Sequence, residues 1–305
     1  MPKDAQQYQQ PMQPWPALAS FSRTVTLSQP QLELFYYEAG VHNHPLLVML
    51  HGLGDEADTW RHVFLPLAEN YHTLALDLPG FGRSDKPDVD YTPEFMLDAI
   101  LGFMDHLEVP KAILMGSSLG GILAQGLAVT HPDRVAGLIL VGGTLYQPEP
   151  MGDWSLRLMQ VPLIGEWLYT RLRKDPDAAF NSLGNVYHDL EKLPESDREF
   201  LYTRVNRRVW SDGQRRGYFS TLRNLSPWVK GMQSSLAEEL KQLNIPTLVA
   251  RGQYDGLFSE TNADQILAIQ PQTEKATVEQ AGHLPHQENP KAFLAKIRPW
   301  LERHF

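Results

Sequence analysis

The sequence predicts a doubly wound, mostly parallel α/β sheet with a helical cap inserted into it. Short β-rich runs alternate with longer helical patterns, the order expected of βαβ units. Most of those runs are continuously apolar, as strands covered on both faces are. The alternation then stops between Leu145 and about Ser235, where helical periodicity continues without a convincing strand.

The elements follow in order. "SRTVTL" (Ser22–Leu27) and "QLELFYYEA" (Gln31–Ala39) read as paired strands turning at "SQP". "PLLVML" (Pro45–Leu50), "HTLALDL" (His72–Leu78), "AILM" (Ala112–Met115), "VAGLILVG" (Val135–Gly142) and "PTLVAR" (Pro246–Arg251) read as buried parallel strands. "TWRHVFLPLAENY", "TPEFMLDAILGFMDHL", "GGILAQGLAVTH", "TNADQILAIQ" and "NPKAFLAKIRPWLERHF" carry helical periods between and after them. Residues 22–144 and 236–305 therefore form the expected core, and 145–235 the cap. A helical insert there would sit above the carboxyl edge of the sheet, where ligands bind in open α/β folds. Residues 1–21, rich in Gln and Pro, predict either a disordered arm or a segment draped over the surface.

Composition narrows the function classes. A chain of 305 residues with 42% hydrophobic and 21% charged residues is an ordinary globular protein. Its net charge of −9 argues against nucleic acid, whose phosphates need a basic surface. The absence of cysteine excludes disulfides, thiol catalysis and cysteine-ligated metals. No apolar run is long enough to span a membrane, and the first twenty residues lack the layout of a secretory signal, so a cytoplasmic protein is expected.

"ILMGSSLGGILA" (Ile113–Ala124) sets two serines among glycines directly after a strand. A serine at the tip of a sharp strand-to-helix turn needs very small residues two positions either side, giving G-x-S-x-G. Ser118 meets this with Gly116 and Gly120, whereas Ser117 would have Met115 and Leu119. The motif alone recurs by chance in about one 300-residue chain in ten. Two further positions separate it from a plain glycine-softened turn. Asp255 in "ARGQYDGLF" and His283 in "EQAGHLPHQENP" both fall on loops after strands, at the same sheet edge. The order Ser118, Asp255, His283 suits acyl transfer in this architecture: an imidazole takes the serine proton, and a carboxylate holds the ring in one tautomer.

With these residues in place, the chain from about Ser22 to Phe305 resembles the α/β-hydrolase fold superfamily, in its serine-nucleophile branch with a helical cap. "HGLGD" (His51–Asp55) is similar to that family's turn after the third strand, "DLPGFGRSDKP" (Asp77–Pro87) to its next loop, and "GHLPHQENP" to its histidine segment. The resemblance implies an eight-stranded sheet and an oxyanion hole built from the backbone N–H groups of Leu53 and Leu119. It also implies hydrolysis of an ester, lactone or thioester through an acyl-enzyme on Ser118. Serine at the elbow sets the chain apart from dehalogenase and epoxide-hydrolase relatives, which carry Asp there. Carbon–carbon hydrolases of the meta-cleavage type and slow-hydrolysing ligand receptors share the fold. The former commonly have Asn where Ser117 stands and an aromatic where Leu284 stands.

The cap's aromatics point to a substrate with an apolar part, and Trp154, Trp167 and Leu284 are candidate pocket residues. The cap carries 13 Lys and Arg against 11 Asp and Glu, so an anionic substrate stays open at this point. No cofactor or metal is expected. "GLGDEA" (Gly52–Ala57) loosely fits a dinucleotide fingerprint, but Asp55 would repel a pyrophosphate. His42, His44 and His51 have no metal spacing, and His286 is expected at the surface. Asp77 is expected to tie down its loop together with Arg83 and Ser84.

Overall fold

A computed structural model describes residues 5–146 and 158–305. After a single helical turn, α1 (Ala5–Tyr8), the chain enters an eight-stranded sheet. The strands are β1 (Ser22–Ser28), β2 (Gln31–Ala39), β3 (Leu46–Leu50), β4 (His72–Leu76), β5 (Ala112–Ser117), β6 (Val135–Val141), β7 (Thr247–Gly252) and β8 (Glu274–Val278), arranged 1-2-4-3-5-6-7-8. β1 with β2 and β2 with β4 are antiparallel, and all other neighbours are parallel. Every strand from β3 to β8 therefore ends at one edge.

The continuously apolar strands have a simple cause. Val48, Leu114, Leu138, Leu140 and Val249 point to one side of the sheet, and Leu47, Ile113, Ile139, Val141 and Leu248 to the other. The first side is covered by α3 (Pro93–His106) and α4 (Leu119–Thr130), and the second by α2 (Phe64–Ala68) and, at the end of the chain, Phe293, Ile297 and Trp300. β8 carries no apolar run: Glu274 and Lys275 begin it, as suits a sheet edge.

Between β6 and β7 lie α5 (Ile164–Arg171), α6 (Pro176–Asn181), α7 (Glu195–Trp210) and α8 (Asp212–Gln242). The expected cap limit at 235 falls inside α8, a continuous 31-residue helix. Its last turns are apolar on one face, and Leu236 and Leu240 pack fully buried into the core. After β7 come α9 (Glu260–Ile269), α10 (Pro285–Glu288) and α11 (Pro290–His304). Among the described residues no helix is long and apolar enough to cross a membrane.

One expected helix is broken. "TWRHVFLPLAENY" holds the end of a 3₁₀ turn (Ala57–Trp60) and the short α2, and Thr59 and Arg61 at its start are drawn into buried polar contacts. Residues 15–21 are fastened to the core: Leu18 is fully buried, and the Trp15 N–H donates to Asp58 Oδ1 at 2.8 Å.

Candidate active site

β5 ends in Gly116–Ser117 and α4 starts at Leu119, leaving Ser118 to make the whole turn. It does so at φ 50° and ψ −113°, a strained conformation for a residue with a side chain. Its N–H donates to Val141 O at 2.8 Å, and its carbonyl accepts from Gly121 and Ile122 at 3.0 and 3.1 Å, so the strain is held from both sides. A Cβ on Gly116 would strike the Gly120 backbone, and one on Gly120 would strike Leu50. The close packing that the glycine register implied is present around Ser118. Ser117 is fully buried, and its Oγ has no partner.

Asp255 and His283 come together from the loops after β7 and β8. Both Asp255 carboxylate oxygens lie 3.0 Å from His283 Nδ1. Oδ1 also accepts from the Leu257 and Phe258 N–H groups, each at 2.9 Å, which fixes the carboxylate independently of the histidine. With Nδ1–H facing a carboxylate, Nε2 is left with its lone pair. Gly142, at φ 62°, lets the imidazole lie against the end of β6; a Cβ there would be 3.0 Å from His283 Nδ1. No hydrogen bond joins Ser118 Oγ to His283 in this structure, yet both line one cavity. Such contacts commonly tighten only when substrate is present.

The loop after β3 is held by His51. The Leu78 N–H donates to His51 Nε2 at 2.9 Å, so Nδ1 carries the hydrogen and donates to Gly52 O at 2.7 Å. This brings Gly52 against the elbow, where a Cβ would sit 3.4 Å from that of Ser118. Leu53 and Leu119 both line the cavity. Leu119 is the first residue of α4, so its N–H has no acceptor within the helix. Asp77 anchors the next loop: it accepts from the Ala57 N–H at 2.6 Å, the Arg83 N–H at 2.7 Å and Arg83 Nε at 2.8 Å. Burial works against its charge, but Arg83 beside it holds the carboxyl below its ordinary value. It ties the loop down, with Ser84 donating to its carbonyl at 2.6 Å.

The model of the alpha/beta hydrolase fold family matches residues 45–290. The chain belongs to that family. It is 27% identical over 273 residues to an uncharacterized protein of Mycobacterium tuberculosis, covering 85% of this chain and 75% of the other. It is 26% identical over 276 residues to the 2-hydroxy-6-oxo-6-(2'-aminophenyl)hexa-2,4-dienoic acid hydrolase of Metapseudomonas resinovorans, covering 89% and 88%. Among solved structures, a thermophilic esterase from Thermogutta terrifontis superposes with a TM-score of 0.72 at 23% identity, over 93% of this chain and 99% of that one.

In this α/β-hydrolase the cavity over Ser118 measures about 280 Å³. Leu183, Val186, Tyr187, Val205, Tyr169 and Tyr218 wall it from the cap, and Ile122, Leu257 and Leu284 from the core. Leu284 stands where the sequence pointed. Trp167 does not: it is 57% exposed, with Arg171 stacked on its ring at 4.8 Å. Tyr169 faces inward instead, because two residues along a helix turn a side chain through about 200°. Trp154 lies outside the described residues.

The sequence reading missed two groups near the site. Arg208, on α7, reaches into the cavity wall and donates to Glu56 at 2.9 and 2.7 Å and to Asp55. Burial alone would lower its pKa, but these two carboxylates raise it, so the guanidinium stays charged. The cap's count of basic residues was its only trace in the sequence. His286, expected at the surface, is fully buried. Pro285 starts a short helical turn that aims it inward, its Nε2 2.9 Å from Thr59 Oγ1 and its ring 4.3 Å from that of Trp60. Burial, then Arg61, hold its pKa well below the ordinary histidine value, so it is neutral.

Proposed function

We propose that this chain hydrolyses neutral carboxylic esters with an apolar part, through an acyl-enzyme on Ser118. The observation that carries this reading is a strained serine and a carboxylate-held imidazole opening onto one cavity. His283 Nε2 takes the Ser118 proton as Oγ attacks the ester carbonyl. Asp255 keeps the ring oriented and balances the charge it gains. The developing oxyanion is received by the Leu53 and Leu119 N–H groups, with the start of α4 behind them. His283 then returns the proton to the leaving alcohol, and a water repeats the sequence to free the acid.

Electrostatics favours an ester over an anionic dienoic acid of the kind named for the Metapseudomonas relative. Among the described lining residues Arg208 is the one Lys or Arg, and Asp55 and Glu56 already neutralise it. A substrate carboxylate would have to compete with both. The test is steady-state turnover of p-nitrophenyl esters of graded acyl length against a 2-hydroxy-6-oxo-dienoic acid. Sustained ester turnover with a weak or absent dienoate reaction supports the reading. Preferred dienoate cleavage would make the chain a carbon–carbon hydrolase, and a single slow burst on esters would make it a receptor.

A further inference from the structure

We infer that Glu288 is a positioning residue for His283, acting by fastening the histidine loop to the cap. This rests on the reading of His283 as the base. Glu288 ends α10, and its two carboxylate oxygens have different tasks. Oε1 accepts from the Gly282 N–H at 2.8 Å, one residue before His283. Oε2 accepts from the His188 N–H at 2.7 Å, on the cap segment between α6 and α7. The His283 N–H itself donates to Val186 O of that segment at 2.9 Å. One direct hydrogen bond and one two-bond carboxylate bridge thus join residues 186–188 to 282–283.

The contact leaves no slack. A Cβ on Gly282 would lie 2.5 Å from His188 N and 3.0 Å from Glu288 Oε1. The His188 ring stacks on Tyr254 with centroids 4.0 Å apart, and Tyr254 immediately precedes Asp255. The same cap segment therefore presses on the loops of both His283 and Asp255. Tyr187 between them donates its hydroxyl to Gln287 Oε1 at 2.7 Å.

The chemistry explains why a carboxylate stands here. Two backbone N–H groups converge, and an ionised carboxylate offers an acceptor to each. A glutamine offers one acceptor and turns an NH₂ toward the other N–H, so one cross-link opens. The base then sits on a loop free to shift, and displacement by about 1 Å of a reacting group lowers rate roughly 100-fold. The cap is in this respect part of the catalytic frame.

The experiment compares wild type, Glu288→Gln, Glu288→Asp and Ser118→Ala as full chains on p-nitrophenyl acetate. It records kcat, KM, the pH profile of kcat and the melting temperature. For folded Glu288→Gln we expect kcat to fall about 10–100-fold with KM within about twofold, and the acid limb of the profile, on which the burial-raised Glu288 carboxyl also bears, to move. Glu288→Asp keeps the charge but is too short for both N–H groups, so it should fall between; it carries the test if Glu288→Gln does not fold. An unimpaired kcat in a folded variant, or a loss that follows only the folded fraction with an unmoved pH profile, overturns the inference. A Ser118→Ala chain that keeps wild-type turnover defeats the underlying reading instead, whatever Glu288 does.

Discussion

The two walls of the cavity are held by different forces. On the sheet side, Ser118, Gly52 and Gly142 are placed by backbone contacts so close that a methyl group would not fit at Gly116 or Gly120. On the cap side, α7 is fixed to the core by charge. Arg204 pairs with Glu56 at 3.1 Å and Asp58 at 3.1 Å, Arg208 with Glu56 at 2.7 Å, and Asp197 with Arg61 at 2.5 Å. Close-packed backbone has one solution and holds reacting atoms in register. Buried ion pairs must first overcome desolvation; they add little net stability when intact, yet losing one partner is expensive. The sheet side, with the His283 loop that Glu288 fastens, should thus govern rate, and the α7 side stability and selectivity.

The largest expected effect tests the sheet side. Ser118→Ala should lower ester turnover by about 10⁴-fold or more with an unchanged melting curve, whereas Ser117→Ala should retain most of it. An inactive Ser117→Ala beside an active Ser118→Ala would reverse the assignment. Next comes the cap junction. Asp197→Asn leaves Arg61 buried without its anionic partner, and should cost about 3–5 kcal/mol in denaturant unfolding. The rate constant of the folded fraction on a small acetate should change far less. Equal damage to both quantities would erase the distinction between the two walls.

Acid should strike the junction in a defined window. The folded pKa of His286 is depressed well below the ordinary 6.5, so between these values the unfolded chain binds more protons than the folded one. Stability is fully present above about pH 6.5 and falls below it, by at most roughly 1.4 kcal/mol per pH unit from this group. His286→Gln should flatten that slope between pH 7 and 5.5 in urea titrations; an unaltered slope would assign the loss to other groups. The smallest effect concerns Trp167, where the exposed ring predicts a change within about 0.5 kcal/mol on Trp167→Ala and an unshifted acyl-length preference. Tyr169→Ala, on the inward face of the same helix, should shift that preference. The opposite ranking would return Trp167 to the pocket.

The same contrast explains what could be read from the sequence. The elbow was legible because its constraint is steric and local: only very small residues fit two positions from Ser118, and they can be counted. Asp255 and His283 were legible as loop residues following strands in the expected order. The broken helix after residue 57, the burial of His286 and the part played by Arg208 were not. Each depends on a partner far away in the chain: Arg208 on Glu56, Arg61 on Asp197, His286 on Thr59. A charged residue at a helical position reads the same whether water or a distant carboxylate receives it. Trp167 failed for a related reason, since helical period gives a face but not which neighbour covers it.

The length of α8 has a mechanical consequence. It carries Tyr218 at the cavity near one end and Leu236 and Leu240 clamped in the core near the other. The helical stretch between β6 and β7 is thus joined to the core through one unbroken rod, with no loop hinge at this end. Pro227 stands between the two anchored stretches and lacks the N–H that would complete a turn to Arg223. Yet Leu225, Trp228 and Val229 beside it pack against the core, so the rod is held along its middle as well as near its end.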